Sequence, residues 1–175
     1  RYGMGLLSTA ATTKAAFDTL PDTWEIYEEQ ALEHGVTADR RNWRLVGPVH
    51  IAETREKARE NVKFGIQNWL HYFAYVGHLP LAATGEKDVE SDIDALIDAE
   101  IAVIGTPDDL EKQITRLNEK SGGFGVFLDM AHNWADFEQT KRSYELIARY
   151  VVPRFSGTAG RQDQAYRWAM EKKPE

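Results

Sequence analysis

Gly122-Gly-Phe-Gly-Val-Phe-Leu-Asp-Met-Ala-His-Asn-Trp-Ala-Asp-Phe-Glu-Gln-Thr-Lys-Arg-Ser-Tyr-Glu-Leu-Ile-Ala-Arg-Tyr-Val-Val-Pro-Arg-Phe155 is the stretch whose reading decides the fold. A glycine pair releases a short apolar run, Phe124 to Leu128, too brief for a helix and suited to a strand buried on both faces. Small and polar residues follow, among them Asp129, His132 and Asn133. Trp134, Phe137, Tyr144, Ile147 and Val151 then recur mostly at helical spacing, and Pro153 is expected to end that helix. The unit is strand, polar loop, helix. In parallel α/β folds, sites are built on the loops that leave the carboxyl ends of strands.

Outward from this unit the same alternation recurs. Met4 to Ser8 reads as a buried strand within Tyr2–Thr9, and Thr9-Ala-Ala-Thr-Thr13 as a loop small enough for a ligand to approach the backbone. Thr13 is placed to cap a short helix through Phe17. Pro21 and Asp22 open a second helix with Trp24, Tyr27 and Ala31 on its apolar face, stopped near Gly35. Trp43 to Ile51 alternates roughly and is interrupted at Gly47-Pro48, which predicts a strand with a bulge or an edge. Thr54 caps a predicted helix running to Val76, before Gly77. Its aromatic run, Trp69, Tyr72, Phe73 and Tyr75, reads either as heavy core packing or as a helix end forming part of a pocket or subunit contact.

His78 to Glu90 is a long loop of the kind that forms lids, and Asp92 to Glu100 a short acidic helix. Thr106-Pro-Asp-Asp109 is the clearest helix start in the chain, leading through Leu110, Ile114 and Leu117 to Lys120. From Gly157 the tail is polar, with little pattern beyond Tyr166 to Met170. The order of elements predicts a parallel sheet with right-handed crossovers.

Composition narrows the function classes. In 175 residues, 42% hydrophobic and 28% charged, there is room for one domain with a core. A net charge of −7 offers no basic stripe for nucleic acid. Without cysteine there is no disulfide framework, thiolate metal site or cysteine nucleophile, which fits a cytoplasmic setting. No apolar run approaches membrane-spanning length. The chain starts at Arg1 and enters a strand at once, the expectation being that it begins inside something larger.

Strong catalytic motifs are missing: no glycine-rich dinucleotide fingerprint, phosphate loop, zinc-binding helix or nucleophile elbow. Of five histidines, His34 sits at a helix end, and His71 and His78 are seven apart with no carboxylate cluster to make a metal site. His50 and His132 could face one ligand or be held by hydrogen bonds in loops. Asp129 could orient His132 or cap the following helix. Ser8 and Thr9 present hydroxyls at a strand end, where they could bond a flat polar ring.

Three segments together, Arg1-Tyr-Gly-Met-Gly-Leu-Leu-Ser8, Val103-Ile-Gly-Thr-Pro107 and Ser143-Tyr-Glu-Leu-Ile147 with Val152-Pro-Arg-Phe155, resemble the carboxyl half of the bacterial-luciferase-like flavin monooxygenases. Within that family the similarity points to limonene monooxygenase-like proteins. The resemblance implies an α/β fold, the carboxyl-terminal part of a (β/α)8 TIM barrel comprising residues 1–156, with about three parallel strands, a lid at 78–90 and a tail at 157–175. On this basis Met4–Ser8, Leu45–Ile51 and Phe124–Leu128 are the sixth, seventh and eighth strands.

It further implies FMN at the strand ends, reduced by a separate NAD(P)H-dependent reductase. The reduced FMN reacts with O2 to a flavin C4a-peroxide that passes one oxygen atom to a small apolar organic substrate, limonene or another terpene among the candidates. Ser8 is implied as a cofactor contact beside the flavin ring. Thr9 is implied as a second, where luciferases carry tryptophan, which favours an ordinary oxygenase over light emission. His132, Trp134 and Met130 are implied as substrate-side residues. Phosphate-binding residues would come from the missing amino-terminal half of the barrel, so the chain alone is expected to bind FMN poorly and not to turn over. Deazaflavin F420 on the same scaffold, a non-catalytic assembly module, and a half-barrel pairing with a second copy as a homo-oligomer are the alternatives.

Overall fold

Pro48 decides how the strands are shared. It has no amide hydrogen to extend a ladder. In the computed structural model, which describes residues 3–79 and 81–172, it divides the segment after Trp43 between two sheets. Arg1, Tyr2 and Pro80, which fall in the expected first strand and lid, lie outside the described residues.

In chain order the elements are β1 (Leu7–Ser8), α1 (Lys14–Asp18), α2 (Leu20–Glu33), a 3-10 turn (Arg40–Asn42), β2 (Arg44–Gly47) and β3 (Val49–Ile51). There follow α3 (Arg55–Val62), α4 (Ile66–Tyr75), α5 (Val89–Asp98), β4 (Val103–Gly105), α6 (Pro107–Ser121) and β5 (Val126–Asp129). The chain ends with α7 (Phe137–Leu146), a π-helical turn (Ile147–Val151), α8 (Val152–Phe155) and α9 (Thr158–Glu171). One sheet has the order β1-β2-β5 and the other pairs β3 with β4; every pairing is parallel. The three expected strands therefore do run side by side in one direction. The strand β4 escapes the sequence reading because it is three residues long and wholly buried, so it shows no alternation.

The best-signalled helix forms as its sequence dictates. Thr106 and Asp109 close a capping box, Pro107 takes the first position, and Gly122 ends α6 at φ 71°. Arg40 reaches across to donate to the Ser121 and Gly123 carbonyls at 2.6 and 3.0 Å, and its guanidinium lies 4.5 Å from the Trp24 ring. Thr54 caps α3 by accepting from the Lys57 amide.

Four expectations are corrected. The helix from Thr54 to Val76 is two helices, because Gly65 breaks it. The Gly65 amide donates to the Trp134 carbonyl at 2.9 Å, and a Cβ there would lie 2.1 Å from the Asn133 carbonyl oxygen. Pro153 does not end the last barrel-side helix. A π turn before it widens the ladder, and α8 carries on to Phe155. The helix also starts later, at Phe137, with Asp136 accepting from the Gln139 amide as its cap. Finally, the polar tail is helical in α9, with Tyr166, Trp168 and Met170 exposed.

The strands also differ in burial from the sequence reading. Met4 and Leu7 are exposed, and β1 is only two residues long. On β5, Val126 and Leu128 are exposed, so this strand is not buried on both faces. Register explains why. Leu45 aligns with Phe127 on the face covered by α2 and α6, where Trp43, Leu45 and Leu117 are fully buried with Trp24 and Ala11. Leu7, Arg44 and Val126 align on the opposite face, with Val46 and Leu128 beside them. No helix among the described residues covers that face. A second cluster unites α3, α4, α5 and β4 around Val62, Ile66, Leu70, Ile93 and Leu96; a third sits between β3, α6 and the π turn. Each fully buried leucine or isoleucine contributes roughly 1.5–3 kcal/mol.

Candidate functional site

A cleft of about 460 Å³ opens where the strands end. Thr9 follows β1, Pro48 follows β2 and Met130 follows β5, so the floor is assembled from the carboxyl ends of three parallel strands. Trp69 and Phe73 of α4 form one wall, with Leu79, Leu81 and Ala82 of the following loop beside them. The Thr9–Thr13 turn supplies hydroxyls at the opposite rim. A Cβ at Gly47 would lie 2.7 Å from the Thr12 methyl, so the bare glycine lets that turn sit close against β2.

The aromatic run on α4 divides: Tyr72 and Tyr75 are exposed, and Trp69 and Phe73 turn inward. Trp69 packs against the central core and at the same time faces the cleft with Phe73, their rings 4.4 Å apart. The loop from Leu81 to Asp88 is tied down on α4 through Gly85, Glu86 and Lys87. Gln67 Nε2 donates to the Lys87 carbonyl at 2.7 Å, Tyr75 donates its hydroxyl to Glu86, and Gly85, at φ 79°, passes so close to Gln67 that a Cβ would lie 2.5 Å from its carbonyl oxygen.

The residues singled out in the sequence fall in three places. Thr9 and Met130 line the cleft. Ser8 is not among the cleft's lining residues; it is in register with Leu45 on the helix-covered side, its Oγ accepting from Trp43 Nε1 at 3.1 Å, which leaves the hydroxyl hydrogen available to a second acceptor. His132 and Trp134 stand behind the wall. Trp134 is fully buried, its ring stacked on His132 at 4.0 Å and set edge-on to Trp69 at 5.0 Å. Its indole N–H has no hydrogen-bond partner among the described residues. The Val49 carbonyl, 2.9 Å from His132 Nε2, can only accept, so that nitrogen carries the hydrogen, and Nδ1 faces the Trp134 amide at 3.4 Å.

His50 does not join His132 at a common ligand. It is buried on β3, with Asn61 Nδ2 3.2 Å from its Nε2. Burial pulls both imidazoles down to about 4, the proximity of His132 adding to the effect on His50, so both are neutral. Among the described residues, no group of three or more His, Asp or Glu side chains could hold a metal.

Asp129 neither caps α7, which Asp136 does, nor makes a hydrogen bond to His132. It ends β5 on the helix-covered side, opposite Gly47. Among the described residues neither buried carboxyl oxygen has a hydrogen-bond partner at full geometry; burial raises the group to about 7, and a weak interaction with the Val49 backbone amide offsets this only in part. No sequence signal marks it, because an aspartate after a strand looks the same whether it caps, coordinates or is simply covered.

No family model matches the chain. It is 43% identical over 170 residues to limonene 1,2-monooxygenase of Rhodococcus erythropolis, covering 97% of this chain and 43% of that protein. It is 33% identical to 4-hydroxyprotoasukamycin monooxygenase of Streptomyces nodosus subsp. asukaensis, over 98% of this chain and 47% of that protein. Among solved structures, the oxygenating constituent of 3,6-diketocamphane monooxygenase from Pseudomonas putida, a type II Baeyer-Villiger monooxygenase in complex with FMN, superposes with a TM-score of 0.62. It shares 27% identity over 84% of this chain and 41% of that one. A monooxygenase from Streptomyces bottropensis gives 0.63 at 20% identity, a likeness of fold, over 87% of this chain and 42% of that one. The chain spans less than half the length of each of these relatives. Parallel strands ending in one cleft, together with this relatedness along nearly all of its length, make the chain similar to limonene 1,2-monooxygenase and to the 3,6-diketocamphane monooxygenase that binds FMN.

Proposed function

We infer that the chain is the carboxyl-terminal part of a (β/α)8 barrel in an FMN-dependent monooxygenase, and that the cleft at its strand ends receives the flavin ring and a small apolar substrate. The observation that carries this is the make-up of the cleft: apolar and aromatic walls from Trp69, Phe73, Leu81 and Met130, with hydroxyls confined to the Thr9–Thr13 rim. A flat ring with an apolar body and a polar edge fits such a lining. Ser8, with its hydroxyl hydrogen still to place, and Thr9 would hold that edge. The cofactor's phosphate does not fit as well. Lys14, the one cation lining the cleft among the described residues, is paired with Asp18 at 2.8 Å. The phosphate would be held by the part of the protein that this chain does not span.

Reduced FMN supplies the activation of O2, delivering one oxygen atom to the substrate. The chain's own residues bind, orient and exclude water. The lid expected at residues 78–90, whose Gly85, Glu86 and Lys87 are held on α4, would keep water from the reacting centre. Met130 lines the substrate side. Trp134, stacked on His132, fixes the plane of Trp69 from behind, so these two act on substrate through that wall. A cyclic terpene such as limonene is the first substrate to assay, and a cytoplasmic NAD(P)H-dependent reductase is the partner that would supply reduced FMN.

FMN fluorescence quenching tests the reading. The isolated chain should bind with a dissociation constant above about 100 μM. A chimera in which it replaces the matching 170 residues of the Rhodococcus relative should bind in the low micromolar range. Micromolar binding by the isolated chain, or none by a folded chimera, would overturn it.

A further inference from the structure

Parallel sheets are covered on both faces, yet one face of β1-β2-β5 is open. Its lower layer is Leu7, Arg44 and Val126, in register across the three strands, and its upper layer is Val46 and Leu128. Leu7 is 52% exposed, and Val126 and Leu128 are each 37% exposed. Four of these five side chains are aliphatic, and the fifth is a guanidinium set among them. Gly5, on the same face as Leu7, makes room for it: a Cβ there would lie 2.9 Å from Arg44 Nη1. Among the described residues, the guanidinium of Arg44 makes one hydrogen bond, from that nitrogen to the Asn42 carbonyl at 2.9 Å. All ion pairs among the described residues are made by other side chains.

We propose that this face docks the polypeptide corresponding to the part of the relatives that the chain does not match, and that this polypeptide presents a carboxylate to Arg44 in the interior it closes. The proposal rests on the reading that the chain is one part of a longer oxygenase, and it adds what the other part must bring. The occupant follows from length: the chain covers 43% and 47% of its two most similar relatives given above, so more than half of each has no counterpart here. The carboxylate follows from charge. Covering the aliphatic layer removes Arg44 from water, and a guanidinium cannot shed its proton. A buried, unpaired charge is strongly unfavourable, whereas a bidentate pair with a carboxylate satisfies two of its N–H groups.

The sign of one substitution separates this from a merely apolar interface. Were no acid present, Arg44→Met would leave stability unchanged or raise it, since a well-packed hydrophobe replaces a buried cation. With an acid opposite, the same change strands a buried carboxylate. In the chimera described above, urea unfolding of Arg44→Met should show the folded-to-unfolded ratio falling on the order of a hundredfold. Arg41→Met, which removes an exposed partner of Asp39, should change it less than threefold. Leu128→Glu, which puts a charge on the same face, reports on docking alone and should abolish cooperative unfolding of the chimera. If Leu128→Glu is tolerated, the face is not covered and the docking itself is refuted. If Leu128→Glu disrupts the chimera but Arg44→Met is neutral or stabilising, the face is covered and the carboxylate is refuted.

Discussion

Asp129 is the group whose replacement most directly tests the energetics of this fold. Its carboxyl oxygens are buried with no hydrogen bond of full geometry among the described residues, and burial, opposed in part by the Val49 backbone amide, raises it from 3.8 to about 7. Because the folded state holds the proton more tightly than the unfolded chain, stability from this group is fully present below about pH 4. It declines as pH rises and is gone above about pH 7. At about 1.4 kcal/mol per pH unit, the whole effect has an upper limit of about 4 kcal/mol. Asp129→Asn keeps the shape and cannot ionise. Its amide is also left without partners, so the gain should fall short of that limit. The informative quantity is the difference between the variant and the original protein, which cancels every other carboxyl that titrates. That difference should grow in favour of the variant by about 2–3 kcal/mol between pH 5 and pH 8.5. In a chain of this size, a gain of that order raises the melting temperature by roughly 4–12 °C at the alkaline end. Tyr144, raised from its ordinary value by burial first and then by Asp129, stays neutral at both pH values and does not complicate the comparison. Urea titrations at the two pH values supply the measurement. A difference that stays constant within about 0.5 kcal/mol would show that Asp129 is not being kept neutral by burial, and the reasoning would fail.

Three further outcomes follow from the packing. Gly65→Ala should cost about 1–3 kcal/mol in urea unfolding, because its Cβ would meet the Asn133 carbonyl at 2.1 Å and push apart the junction of α3 and α4 from the loop that carries Trp134. Thr106→Ala should cost about 1 kcal/mol by the same measurement, since it removes the capping side chain of α6. Trp134→Phe should stay within about 1 kcal/mol of the original, the loss of ring volume being offset by removal of an unpartnered indole N–H, whereas Trp134→Ala should cost about 3–5 kcal/mol. A large loss on Trp134→Phe would mean that the indole nitrogen has a bonded partner.

What the chain could say by itself was whatever is written in neighbours along the sequence. Thr106, Pro107, Asp109 and Gly122 specify the start and stop of α6 through bonds within a few residues. The turn residues and apolar runs were enough to foresee three segments lying parallel, and the quoted motifs enough to name the family. Thr9, singled out at a strand end, and Met130, singled out through the resemblance, both line the cleft. Everything that depended on a distant contact was hidden. Gly65 looks like any helical glycine until Asn133 arrives beside it, and Pro153 like a stop until a π turn absorbs it. His132 and Trp134 read as pocket residues, but stacking places them one layer behind Trp69. Asp129 became a titrating group, and Leu7, Arg44 and Val126 an open face, only once burial and register were fixed, since both are properties of how strands meet rather than of any strand alone.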